Sequence, residues 1–557
     1  MIRKVLLIIL ASYSFNKGFS QGVLIPGSED YYHLIDRYKI LGGQLPDGLH
    51  TSFKGYNRQD IVQLIDSLEE QNGSNSDNFN FSWLKQDSWE FGDTVLLSPK
   101  PLLKYFYRTR SDLYHVKNEN FDVHVNPVIY FDGGKESESG ETLFINTRGM
   151  EVRGLIDGKV GFYTFMSENQ MTMPYYLRQY RARTKTVPGE GFHKGFKDVG
   201  VDFFTVRGYI TFPVTKHIGV QFGQDRFRVG NGFRSLILSD FSPSYPFLKV
   251  QTKIWKIQYT NLFTQFTEDL VPSSIAKGYG DYPQKYMAFH HLSVNITKKL
   301  NMGLFESIMF GSLDSTRTGY EVKYLNPIIF YRAVEQQDGS SDNAMLGMDW
   351  EYLPFKGVSV YGQFILDEFL LNHIRSGDGW WGNKFGFQGG LKYYNVAGIK
   401  NLDLQVEGNL VRPFTYSHGT RYGNYSHYRQ PLAHPLGANF KEVSAILRYQ
   451  PIPKLTFTAK VIMAQYGRDS IDQNWGGNIF LDNKTKEREF GNKIGQGMAT
   501  TMSFVSLRAS YQLYHNLFAD LKFIMRKEES EYDIYDFDTK QVNFSMRWNI
   551  PYRNNDF

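Results

Sequence analysis

Cysteine is absent from all 557 residues. Its absence excludes a structural disulfide, a thiolate metal site and a lipid anchor on a processed N-terminal cysteine. Long apolar runs are missing as well: beyond the leader no stretch of about twenty apolar residues occurs, the length a membrane-spanning helix needs, and mean hydropathy is −0.41. Charge of one sign is scarce. A formal net charge of +5 is small for this length and gives no footprint for nucleic acid. No Gly-x-Ser-x-Gly elbow is present. Glu306, Asp367 and Glu368 at predicted strand ends offer carboxylates, and Ser and His can be paired on paper in any chain this long. Enzymatic function is therefore the least favoured class and no catalytic residue is assigned.

What is present begins at the two ends. Arg3 and Lys4 precede an apolar run from Val5 to Ala11, and Gly18-Phe19-Ser20 supplies small residues for a signal peptidase. Residues 1–20 are thus expected to be a signal peptide, with the mature chain starting near Gln21. At the other end Val542, Phe544, Met546, Trp548 and Ile550 alternate with Asn543, Ser545, Arg547 and Asn549. Period-two alternation puts lipid against one face and a polar lumen against the other. The same pattern recurs in Leu402, Leu404, Val406 and Leu410 against Asp403, Gln405, Glu407 and Asn409, and in Leu517, Leu521, Phe523 and Met525 against Asp520, Lys522 and Arg526. Lumenal acids and bases can then pair across strands. The final residue is aromatic, Phe557, as in barrel proteins handed to an insertion machine, and is expected to end on the periplasmic side.

From Phe121 onward about eighteen strands are predicted, near 121–131, 143–153, 158–168, 199–213, 215–228, 246–253, 255–267, 284–297, 299–310, 343–353, 356–367, 383–396, 398–411, 438–450, 453–467, 498–513, 515–529 and 538–550. Tight turns at Gly154 to Asp157, Val214, near Ile254, Lys298, Pro354-Phe355, Ala397, Pro451-Ile452 and Tyr514 alternate strictly with longer connections. A soluble secreted sandwich would share the alternation and the leader, but has no reason to segregate loop lengths. An all-β transmembrane barrel of about 18 antiparallel strands does, with both termini periplasmic in the Gram-negative outer membrane.

Residues 21–117 read differently. Ser28 caps a run with Tyr31, Leu34, Ile35, Tyr38 and Leu41 at helical spacing, stopped by Gly42-Gly43. A second helix is predicted over Arg58 to Glu70, with Ile61, Leu64, Ile65 and Leu68 on one face and Asn57 as cap. Gln71 to Asn80 is expected to be a linker. The helices form a small N-terminal periplasmic α-helical plug, ahead of an outer-membrane β-barrel over 118–557, and their apolar faces are expected to be buried at the periplasmic mouth.

Phe222 to Pro246 carries a Gly230-x-Gly232 turn, then Ser-Leu-Ile-Leu-Ser over 235–239 and a Pro243-containing segment. This stretch resembles the signature of the capsule-assembly Wzi family. The resemblance implies an eighteen-stranded outer-membrane barrel with a periplasmic helical bundle, acting as a lectin that holds capsular polysaccharide at the cell surface. Tyr324 to Arg332, Tyr361 to Glu368 and Gln430 to Phe440 are more similar to its Bacteroidota branch, which includes gliding-motility RemB-type proteins. The family's Trp-rich approach to the Gly-x-Gly turn is replaced here by Arg226 to Val229, so saccharide specificity is not carried over.

The predicted strand order places Gly230 to Tyr245, Trp380-Trp381 and Tyr416 to Gly437 in extracellular loops, where recognition is usually built. The candidate ligand-binding set is Arg226, Arg228, Arg234, Asp240, Arg375, Asp378, Trp380, Trp381 and Trp475. Indoles stack on sugar faces, while guanidinium and carboxylate groups meet anionic polymer or lipopolysaccharide phosphate. The other reading of the same loops folds them into the lumen, with the tryptophans packed as a plug. Gly230 and Gly232 are read as turn geometry. The basic run Arg178 to Lys185 offers a second anionic contact. His418, His427 and His434, with His290-His291, fit no recognised zinc spacing, and neither metal nor cofactor is assigned. Expected partners are outer-membrane lipid, lipopolysaccharide, surface polysaccharide and other outer-membrane proteins. Two rival functions stay open: an accessory subunit of an outer-membrane export or insertion machine, and a porin-like channel.

Overall fold

The computed structural model describes residues 22–46, 48–69, 73–92, 96–98, 102, 104–268, 282–311, 319–328, 331 and 342–557. The leader expectation for 1–20, and parts of two long connections, lie outside the described residues.

Eighteen antiparallel strands close on themselves: β1 (Phe121–Glu136), β2 (Thr142–Ile156), β3 (Val160–Thr172), β4 (Gly200–Pro213), β5 (Ile218–Asp225), β6 (Tyr245–Ile254), β7 (Ile257–Thr267), β8 (Gln284–Asn295), β9 (Leu300–Gly311), β10 (Asn343–Tyr352), β11 (Val358–Glu368), β12 (Lys384–Tyr394), β13 (Leu402–Val411), β14 (Phe440–Ile452), β15 (Leu455–Arg468), β16 (Met498–Tyr514), β17 (Leu517–Ser530) and β18 (Phe537–Trp548). Each strand pairs with its neighbours in sequence, and β18 pairs with β1 from Trp548 opposite Ile129 to Gln541 opposite Glu136. A closed sheet has no edge to satisfy, which is what lets strands cross lipid.

Burial along β18 alternates residue by residue. Val542, Phe544 and Met546 are exposed, whereas Asn543, Ser545 and Arg547 are buried. The same inversion runs round the wall: Phe222, Leu304, Phe387, Val443, Met463, Leu507 and Leu521 face outward, and Asp132, Arg153, Glu351, Glu407 and Asp520 face in. Apolar outside and ionised inside is stable only where lipid surrounds the outer face. Among the described residues no helix is long and apolar enough to span a membrane.

Connections on one rim are short, from Asp157–Lys159 to His515–Asn516, and those on the other include 173–199, 226–244, 369–383, 412–439 and 469–497. The first and last of the expected longer connections shrink to 137–141 and 531–536, because the flanking strands run past the predicted ends.

Three helices sit in the short-turn mouth. Helix α1 (Glu29–Gly42) is capped by Ser28, whose Oγ accepts from Tyr31 N, and Gly43 ends it at φ 71°. Helix α2 (Arg58–Glu69) follows Asn57, whose side chain accepts from Gln59 N at 3.0 Å. The expected linker is shorter than predicted. Helix α3 (Asn75–Asp87) begins inside it, set by a reciprocal capping box between Ser74 and Asp77. Tyr31, Ile35, Tyr38, Ile61, Leu64, Ile65, Phe81 and Leu84 form the bundle's own core. The apolar faces therefore meet one another first, and reach the wall only at the edge, where Ile40 and Leu41 pack with Leu353 and Tyr394.

Charged groups make most of the remaining contact with the wall. Lys39 Nζ lies 2.7 Å from Glu351 Oε2 with both side chains buried. Lys392 pairs with Asp36 at 2.5 Å, Arg508 and Arg547 reach Asp30 at 2.7 and 3.0 Å, and Arg37 binds Asp403. Burial raises the Asp30 carboxyl pKa, but Arg508 and Arg547 outweigh it and hold the group at about 2.

The chain does not end at the rim. Residues 549–557 turn back into the lumen, contrary to the expectation that Phe557 finishes on the periplasmic side. Phe557 packs among Met171, Met173, Tyr176 and Phe203, with ring centroids 5.1 Å from Tyr180 and 4.9 Å from Phe241. The reason is electrostatic as well as apolar: Asp556 binds Lys460 at 2.6 Å and Arg234 at 3.0 Å, and Arg526 Nε donates to the Phe557 carbonyl at 3.1 Å.

Candidate functional site: the filled lumen and the long-loop rim

The 226–244 connection enters the lumen. Gly230 N donates to Ser52 O at 2.6 Å and Lys54 N to Arg228 O at 2.8 Å, so the loop pairs with the strap that joins α1 to α2. Gly230 has φ 103°, and a Cβ on it would lie 1.9 Å from Gln363 Nε2, so both the turn and the close approach require glycine there. Beyond it, Glu407 on the wall accepts from Phe233 N at 2.6 Å, Arg234 N at 2.9 Å and Tyr361 Oη at 2.9 Å. Gln363 donates to Val229 O and accepts from Leu236 N, at 2.9 and 2.7 Å. Leu236, Ile237 and Leu238 are fully buried. The Ser-Leu-Ile-Leu-Ser run is thus the inner face of a lumenal plug.

The nine candidate ligand residues separate into two groups. Arg234 is buried in an ion cluster, with Nε 3.2 Å from Glu442 and Nη1 3.0 Å from Asp556. Arg226 and Arg228 are half-buried and line a cavity of about 250 Å³, together with Lys54, Arg207, Glu190, Asp240 and Arg553. Arg228 Nη1 lies 3.8 Å from the exposed Asp240. Burial pulls the Lys54 ammonium down to about 7 against the upward pull of Asp36.

Arg375, Asp378, Trp380, Trp381 and Trp475 stand on the long-loop rim. Connections 369–383 and 469–497 are laced together there: Trp381 N donates to Glu489 O at 3.0 Å, Gly491 N to Asp378 O at 2.8 Å and Asn492 N to Gly379 O at 2.8 Å. Glu489 Oε1 accepts both indole N–H groups, from Trp380 at 3.1 Å and Trp381 at 2.8 Å. One carboxylate therefore sets the orientation of two half-buried rings. Trp380 stacks on His373 with centroids 4.9 Å apart, Lys486 sits over Trp381 at 4.5 Å, and Arg488 over Trp475 at 5.0 Å. Asp378 accepts from His373 Nδ1 at 2.6 Å and Trp380 N at 3.0 Å, and the histidine bond holds its carboxyl below the usual range. Arg375 is exposed on the short helix Leu371–Ser376. The rim thus presents oriented indoles beside cations and acceptors, a set suited to sugar faces bearing hydroxyl and carboxylate groups.

The loop histidines do not converge. His418 Nδ1 meets Thr420 at 2.8 Å, His427 Nδ1 accepts from Thr267 N at 3.0 Å, and His434 Nε2 lies 3.0 Å from Glu442. Burial pushes His418 down to about 4 and His427 to about 3. A cluster the sequence reading passed over is His115, Asp122 and His124. Two histidines flanking a turn, with an aspartate two residues before the second, were the available signal.

Fold and geometry define a closed eighteen-stranded transmembrane barrel of the outer-membrane kind. No protein-family model matches the sequence, and no curated protein matches it. Among solved structures, the chain is similar to Escherichia coli Wzi, described as an outer-membrane protein involved in group 1 capsule assembly and a carbohydrate-binding β-barrel. The TM-score is 0.57 at 13% identity, covering 96% of this chain and 100% of that one. Pseudomonas aeruginosa OprD aligns at a TM-score of 0.41 and 12% identity over 76% of this chain and 94% of that one. Wzi-like architecture is what the likeness establishes.

Proposed function

We propose that this chain binds surface polysaccharide at its long-loop rim, with the helical plug on the periplasmic side and a lumen closed by its own residues. One observation carries the reading: the segments that fill the lumen are fixed by buried ion pairs, whereas Trp380, Trp381 and Trp475 are held half-exposed at the rim among Arg375, Lys486 and Arg488. The carbohydrate binding of the similarly folded Wzi supports the ligand class. The basic side chains favour an acidic polymer.

The test titrates the detergent-purified chain with acidic polysaccharide extracted from the surface of the producing cell, following tryptophan fluorescence. Saturable binding is expected, and the double substitution Trp380→Ala, Trp381→Ala weakens it about tenfold, the effect of losing two stacking contacts. Absence of binding to the intact barrel contradicts the proposal. A deletion strain places the activity in the cell: reduced polysaccharide retention is expected, whereas lost surface motility with retention intact assigns the barrel to cell-surface assembly and gliding.

A further inference from the structure

We propose that His115, Asp122 and His124 form a divalent-metal site of the zinc class on the lumenal wall beside the short-turn mouth. The short strand Tyr114–Lys117 folds back on the start of β1, and its register sets His115 directly opposite His124. Asp122 precedes His124 by two residues and so shares its face of the pleat. Three ligand-bearing side chains therefore converge by register alone. One ligand atom from each lies within 4.8 Å of the others. His115 Nε2 is 2.7 Å, and His124 Nε2 3.2 Å, from the same Asp122 oxygen, Oδ1. Tetrahedral zinc with bonds of about 2.0–2.2 Å needs ligand separations of about 3.3 Å, so small shifts suffice.

The surroundings supply the outer half of such a site. On its other side His124 Nδ1 lies 3.1 Å from Asp112 Oδ2. Asp112 is buried and fixed, accepting from Trp89 Nε1 at 2.7 Å, Ser111 Oγ at 2.9 Å and Asn126 Nδ2 at 3.1 Å. Nδ1 does not yet meet hydrogen-bond geometry there, but with its proton toward Asp112 the Nε2 lone pair is left for a metal, the usual arrangement behind a metal-bound histidine. That lone pair then faces Asp122 Oδ1, also an acceptor, and a cation between them resolves the clash. Lys117 contacts the other oxygen, Oδ2, at 3.0 Å, so Oδ1 is left to the two imidazoles. Two nitrogens and one carboxylate without thiolate suit zinc and its neighbours rather than calcium or magnesium. Because Trp89 and Asp112 belong to the segment between helices and wall, a bound ion would clip that segment to β1. The site is independent of polysaccharide binding.

The experiment uses the untagged full chain in detergent, stripped with chelator and dialysed. It is titrated with Zn²⁺ by calorimetry and with Co²⁺ by visible absorption. One equivalent of Zn²⁺ is expected, with affinity falling as pH drops because the ligands must be deprotonated to bind. His115→Ala and Asp122→Asn, the first on a half-buried edge strand, abolish uptake while heat-modifiable gel mobility shows the barrel intact. Asp112→Asn weakens uptake about 10- to 100-fold. No stoichiometric Zn²⁺ uptake by the wild type, or uptake unchanged in folded His115→Ala, overturns the proposal.

Discussion

Glu407 shows how much one side chain settles. It accepts two backbone N–H groups of the inserted loop and the Tyr361 hydroxyl, and it is buried. Glu407→Ala strands those donors, each unmet donor costing about 1–3 kcal/mol, so urea unfolding in detergent should show a loss of about 3 kcal/mol. Unchanged stability would mean the loop is held elsewhere. The sequence reading recognised Glu407 as lumenal from its alternation but had no means to name its partners, which lie 173 and 174 residues away. The Gly-x-Gly spacing predicts two turn residues: Gly230 is one, at φ 103°, whereas Gly232 makes room, since a Cβ there would sit 2.6 Å from both Gln388 Oε1 and Glu407 Oε2.

Among elements, the N-terminal helices were visible from their caps and their i, i+3, i+4 spacing. Helix α3 was not, because only Phe81 and Leu84 of its apolar residues are buried and its polar composition reads as linker. Ser74 and Asp77 carried the missed signal. The plug docks through ionised groups, and this gives it a pH dependence of definite sign. Asp30 has its carboxyl pKa lowered from 3.8 to about 2, so its contribution is present above 3.8 and is lost as pH falls through about 2. Trp83, whose indole donates to Asn516 at 2.8 Å, should report release of the bundle by a fluorescence change between those values, with Arg508→Met moving the change to higher pH. A profile flat down to pH 2 would contradict this. The re-entrant tail is a second element with a definite role. Deleting residues 551–557 takes the Asp556 carboxylate from Arg234 and Lys460 and the Phe557 carbonyl from Arg526, leaving them only Glu442, Glu29 and Glu528 respectively. Losing a partner from a buried ion pair costs about 3–5 kcal/mol, so the truncated barrel should unfold at lower urea than the intact one.

At the scale of the molecule, all eighteen strands were readable because lipid leaves a closed barrel no alternative: every lipid-facing position must be apolar and every backbone group paired. What fills the barrel was not readable, since loop, strap and tail meet through contacts spanning 100 to more than 300 residues. The same loop sequence would serve outside or inside. The difference matters for the proposed function, in which a barrel filled by its helices, the 226–244 loop and its own C-terminus serves as a scaffold for the rim rather than a passage. Planar-bilayer recording on the purified full chain tests this most directly. A sealed lumen predicts no steady ion conductance and no solute uptake in liposome swelling, whereas a stable open-channel current from the intact chain would contradict the account.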